Sequence, residues 1–180
     1  MNTEKIELHA SVREGYQILL RADAELLLPT EQLKIREFYQ SLAERCMNWA
    51  TDVHGEMLKK EFSALETVHE KSAFRTQQYR FRMRVAHEDG ETAAILCESK
   101  LLRQRREPQN SYHRLSHVWL LAEENILPFS QILKRFDLKT TTKELGFVPD
   151  GIYPENGEMV FFKNPSATDA FREEKRPLSL

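Results

Sequence analysis

The chain has 180 residues, 30% charged and 41% hydrophobic, with a net charge of −2. That length fits one domain with its own core, so no disulfide or metal is needed for folding. Near-balanced charge excludes a general pull toward nucleic acid or membrane and leaves only local electrostatic recognition. Cys46 and Cys97 lie far apart and form no C-x-x-C pair, which is unlike a secreted disulfide scaffold. The N-terminus has no apolar signal region, and no stretch has the roughly 18 uninterrupted apolar residues of a membrane span. The expectation is a cytoplasmic protein with reduced thiols.

In chain order, residues 1–15 read as a polar, flexible N-terminus. Residues 16–165 read as a single α+β domain, and 166–180 as a C-terminal tail whose Pro177 and Leu178 dock on the sheet. Tyr16 to Leu28 is extended. Pro29-Thr30-Glu31 signals a helix start with Thr30 as N-cap. From Leu33 to Leu65 apolar residues recur at Ile35, Phe38, Leu42, Cys46, Trp49, Val53 and Met57, then Leu58, Phe62 and Leu65, with gaps of three or four apart from the neighbours Met57 and Leu58. The spacing predicts one long amphipathic helix that buries this stripe, with a weak point at Gly55.

Tyr79, Phe81, Met83 and Val85 then alternate with Arg80, Arg82 and Arg84, and Asp89-Gly90 marks a turn into a return strand over Thr92 to Arg103. Pairing odd residues with odd places Phe81, Met83 and Val85 on one face with Ile95, Cys97 and Leu101. The opposite parity would set Phe81 against Glu98. The favoured register requires an odd loop or a bulge near the turn. Arg105 to Ser111 reads as a polar loop, and His117 to Ala122 as a strand. Pro128 to Phe136 reads as a short helix. Phe147-Val148, Ile152-Tyr153 and Met159 to Phe162 read as short strands, the last two joined by an Asn156-Gly157 turn. The fold class is α+β: an N-terminal strand and one long amphipathic helix packed on a mainly antiparallel sheet, with a second short helix.

The hairpin Tyr79 to Arg103, the loop residue His113, the run HVWLLAEENILPFSQILKRF and the closing FVPDGIYPENGEMVFFKNP resemble the C-terminal sensing domain of RsiV-type anti-sigma factors. Those are lysozyme-sensing receptors of Gram-positive bacteria, and a similar domain accompanies some peptidoglycan deacetylases. The resemblance spans about residues 16 to 165. It implies a non-enzymatic binding module. Lysozyme is not implied as the ligand, because NSYHRLSH replaces the family's Gly-rich stretch and the membrane anchor of the receptors has no counterpart.

The candidate sites are few. His113 and His117 have metal-type spacing, but on a strand they stand about 13 Å apart, too far to share an ion. Cys97 and Cys46 read as small buried hydrophobes rather than nucleophiles. No phosphate loop, nucleophile elbow or spaced carboxylate pair is present, so no catalytic residue, metal or cofactor is expected. Arg80, Arg82 and Arg84 repeat about every 6.6 Å along one strand face. Together with Arg105, Arg106, Tyr112, His113 and Arg114 they make the expected binding surface. Its partner is expected to be another protein; the alternative is RNA or another polyanion on the basic face.

Overall fold

The structure is a computed structural model that describes residues 1–102, 111–140 and 142–178. Arg105 and Arg106, expected at the binding surface, therefore lie outside the described residues. Strands β1 (Thr3–Glu14) and β2 (Gln17–Pro29) form a hairpin whose turn contains Gly15 at φ 59°. The expected flexible N-terminus is thus an ordered strand. Its apolar set, Ile6, Leu8, Ala10 and Val12, alternates with the polar residues Glu7, His9 and Ser11 and packs against the core once β2 holds it in register.

A continuous helical rod follows: α1 (Leu33–Asn48), a π-helical segment (Trp49–His54) and α2 (Gly55–Ser63). Its start is not capped by Thr30; the N-cap is Gln32, without a side-chain bond. The buried face also differs from the expected stripe by about one residue. It consists of Ile35, Tyr39, Ala43, Met47, Ala50, His54, Leu58 and Phe62. Trp49, Val53 and Met57 are instead exposed, at 44%, 62% and 40%. The small residues explain the choice, since Ala43, Ala50 and Gly55 let the rod lie close to the sheet. A Cβ at Gly55 would stand 2.7 Å from Val12 Cγ2. The π turn accommodates an extra residue. Within it, Thr51 bonds back to the Met47 carbonyl (3.1 Å) and buried His54 meets Gln77 Oε1 (2.9 Å).

A capped turn, α3 (Val68–Ser72), leads to β3 (Gln77–Glu88), β4 (Thr92–Leu102) and β5 (Ser111–Leu120), then the two-residue β6 (Asn125–Ile126). The six strands form one sheet in the order β1-β2-β3-β4-β5-β6. Among the described strands only β2 and β3 run parallel, a pairing that needs the long crossover the helical rod supplies. In the hairpin, Met83 faces Cys97 and Val85 faces Ile95, with a bulge between Val85 and His87. This is the expected register and its expected irregularity.

The expected single sheet is two. After α4 (Phe129–Arg135) and α5 (Thr142–Leu145), strands β7 (Gly151–Glu155), β8 (Glu158–Lys163) and β9 (Arg172–Pro177) form a separate three-stranded sheet. Phe147-Val148, read as a strand, lies outside both sheets. Asn156 and Gly157 make the β7–β8 turn with φ of 52° and 75°. β9 lies within the segment read as a tail, which therefore contributes a strand. The large sheet is thus packed on both faces, with the small sheet reaching only part of its face. The rod buries Tyr79, Phe81, Met83 and Trp119 on one side, and the small sheet buries Leu96 and Val118 on the other.

Candidate functional site

The expected site residues divide among three environments. Arg80, Arg82 and Arg84 project from the face of β3 away from the rod, as the alternation requires. Each has a partner: Arg80 donates to Gln78 (3.1 Å), Arg82 to Glu25 (2.6 Å), and Arg84 binds Glu155 with both terminal nitrogens. Asp23 and Glu25 on β2 stand opposite Arg80 and Arg82 in register, and Glu98 on β4 also faces Arg82. The face carries interleaved charges of both signs rather than a uniform basic strip.

Tyr112 and Arg114 are not on a free loop, because Ser111 begins β5. The Arg114 side chain is only 12% exposed. Its guanidinium donates to Tyr112 Oη (2.9 Å), to Tyr153 Oη (3.0 Å) and to Glu173, and stands 4.7 Å from the centre of the Phe171 ring. Tyr112 Oη in turn donates to Glu98 (2.5 Å). The Arg114 backbone is held as well: its N–H donates to Asn164 Oδ1 (2.7 Å), and its carbonyl accepts from Asn164 Nδ2 (2.8 Å). Asn164 thus satisfies one residue of the β5 edge as a strand would. The Phe-x-Asn-Pro ending noted in the sequence therefore has a structural job, with Phe162 buried beneath the same guanidinium.

His113 and His117 share the rod-side face of β5 and do different things. His117 takes a hydrogen bond at Nδ1 from Tyr39 Oη (2.9 Å), and that oxygen accepts from Trp119 Nε1 (2.7 Å). Burial pushes the His117 pKa down to about 4, so the ring is neutral and can accept. His113 is exposed and faces a groove.

That groove was not foreseen as a site. It runs between the rod and the ends of β4 and β5 as two adjoining concavities of about 420 and 750 Å³. Trp49, Leu101, Ser111 and His113 line both, and Val53 and Met57 extend the larger one. Trp49 stacks on His54 with ring centres 5.6 Å apart. Cys46 also lines the smaller concavity, where burial pushes its thiol pKa up and disfavours the thiolate. The signal available in the sequence was a doubled stripe: Phe38-Tyr39, Leu42-Ala43, Cys46-Met47 and Trp49-Ala50 place apolar residues on two adjacent lines of one helix. Only one line can face the sheet centre; the other is left at its margin.

The molecule is therefore an α+β domain in which a helical rod and a small sheet enclose a larger mixed sheet. No family model matches the chain, and the search of curated proteins finds no match. Solved structures share the fold, among them two described as DUF3298 proteins. A DUF3298 family member from Bacteroides fragilis has a TM-score of 0.56 at 9% identity, over 97% of this chain and 89% of that one. A DUF3298 family protein from Pseudomonas aeruginosa has a TM-score of 0.53 at 11% identity, over 97% and 90%. At such identities the likeness is one of fold. No helix among the described residues is long and apolar enough to cross a membrane.

Proposed function

We propose that this chain is a non-catalytic, protein-binding regulatory module, akin to the sensing domain of RsiV-type proteins, and that it binds its partner in the groove beside the rod. The observation that carries this reading is the exposure of Trp49, Val53 and Met57 along a continuous concavity. Apolar side chains clustered at a concave surface and rimmed by polar groups favour burial by a partner, and Trp anchors are enriched in the energetic centres of protein interfaces. Arg45 and His113 at the rim supply directional polar contacts. The likeness in fold to DUF3298 proteins, together with the sequence resemblance, supports the sensing-domain reading. The mixed-charge face around Arg82 gives less support to a polyanion, because Glu25 and Glu155 already neutralise two of its three arginines.

A photo-reactive residue at Val53 tests the proposal directly. It should crosslink one discrete protein in native lysate, while the same probe at exposed Lys60 does not. Val53→Asp with Met57→Glu should abolish co-purification of that protein and leave the melting temperature nearly unchanged. Retained binding by the double variant would sink the reading.

A further inference from the structure

The longest open edge of the large sheet is β1. It pairs only with β2, and its other side meets no strand among the described residues. The direction of its backbone groups can be read from its start. The Asn2 carbonyl accepts from Thr30 N–H (3.0 Å), so Asn2 turns toward the β2 side. Alternation then turns the amides and carbonyls of Thr3, Lys5, Glu7, His9 and Ser11 outward. An edge of this kind is a template for a further strand. Its apolar residues point the same way, since Ile6, Leu8 and Ala10 are only partly buried, packed against the core from the last strand of the sheet.

Charged side chains usually protect such an edge, because a second strand brings like charges together. Here one register does the opposite. Laid antiparallel to a copy of itself about Leu8, β1 sets Leu8 against Leu8, Ile6 against Ala10, Lys5 against Ser11, and Glu7 against His9. Shifting the strands by one pleat in either direction opposes Glu7 with Glu7, or Lys5 with Arg13. A further pleat either way avoids like charges but leaves more of the strand unpaired. Pairing about Leu8 also keeps each side chain on its own face, so both helical rods cover the same side of a continuous sheet.

We propose that β1 is a homodimerisation edge: two copies of this chain pair antiparallel through Thr3–Glu14, with the two-fold axis at Leu8. The partner strand completes the ladder that the outward amides begin and covers the exposed flank of Ile6 and Leu8. The interface lies on a different element from the groove beside the rod, so it stands whether or not the groove binds a protein.

Sedimentation equilibrium of the purified chain at tens to hundreds of micromolar should give twice the 21.2 kDa chain mass. Glu7→Pro removes an outward N–H that β2 does not use, so it should give a monomer with the parent's circular dichroism. Glu7→Lys opposes two basic groups across the edge and should weaken dimerisation at least tenfold even if the proline variant does not fold. The register is tested by oxidation in a Cys46→Ser, Cys97→Ala background. Leu8→Cys should form a disulfide-linked dimer, because residues facing each other across a two-fold come within bridging distance. Ile6→Cys and Ala10→Cys should not. A parent that stays monomeric throughout, a dimer that survives both Glu7 changes, or crosslinking at Ile6 or Ala10 in place of Leu8 would overturn the proposal.

Discussion

The two faces of the six-stranded sheet are closed by different means. On the rod side the cover is almost wholly apolar: Ile35, Tyr39, Met47 and Leu58 meet Leu20, Leu26, Phe81 and Met83. Polar exceptions among the described residues include the His54–Gln77 pair and the chain from Trp119 through Tyr39 to His117. On the other side the small sheet brings a second apolar core around Phe161, Met159 and Leu96. It is also fastened by specific polar contacts: Arg114 with Tyr153 and Glu173, Arg84 with Glu155, and Asn164 with the β5 backbone. The approach is close, since a Cβ at Gly151 would stand 2.5 Å from Phe162 Cζ and 2.8 Å from Ser116 Oγ. The difference teaches how placement is achieved. A rod crossing several strands is positioned by the shape of a broad apolar surface. A small sheet touching only part of a face is positioned by a few directional bonds.

The largest expected effect tests whether the two layers unfold together. Phe161 is fully buried in the second core, and Phe161→Ala should cost about 4 kcal/mol. Both tryptophans lie on the rod side, so their fluorescence reports the other layer. If the layers form one cooperative unit, the urea midpoint by fluorescence shifts as far as that by circular dichroism. Separate midpoints would split the molecule into two folding units.

Removing the main fastening should cost slightly less. Arg114→Ala leaves Glu173 with only the longer ion pair to Lys175 (3.7 Å) and takes a donor from two tyrosine hydroxyls, a loss of about 3 kcal/mol. Thermal melts of this variant should fall well below the parent's; an unchanged melting temperature would mean that apolar contact alone seats the small sheet.

The rod side has a pH dependence of its own. His117 is neutral when folded, with its pKa pushed down to about 4, and gains a proton near 6.5 when unfolded. The unfolded state therefore binds more protons between those values. Stability is full above pH 6.5, declines as pH falls toward 4, and loses at most about 3 kcal/mol by this route. Replacing His117 with Gln should flatten that part of the stability profile, measured by urea titration at each pH. An equally steep profile in the variant would assign the slope to other groups.

The smallest effect concerns the margin of the rod. Trp49 is 44% exposed, so Trp49→Ala should cost about 1 kcal/mol rather than the roughly 3–5 kcal/mol of a fully buried ring. A loss in the larger range would put Trp49 in the core and close the groove.

The sequence by itself determined the elements whose patterns have one solution. Alternation of Phe81, Met83 and Val85 with three arginines fixed both the strand and its register with Ile95 and Cys97, because a slip of one residue would bury charges. The long helix was equally legible. Its orientation was not: two adjacent apolar lines satisfy the same periodicity, and the choice between them came from how closely Ala43, Ala50 and Gly55 let the rod approach Val12 and its neighbours. Residues 3–14 read as a polar terminus because half of a strand's side chains face water, and their order depends on a neighbouring strand that local pattern does not reveal. The candidate groove, the paired state of Arg82 and Arg84, and the enclosure of Arg114 were likewise decided by tertiary structure. Each depends on groups far apart in the chain, Glu25 with Arg82 and Asn164 with Arg114, whose meeting is set by how the layers stack.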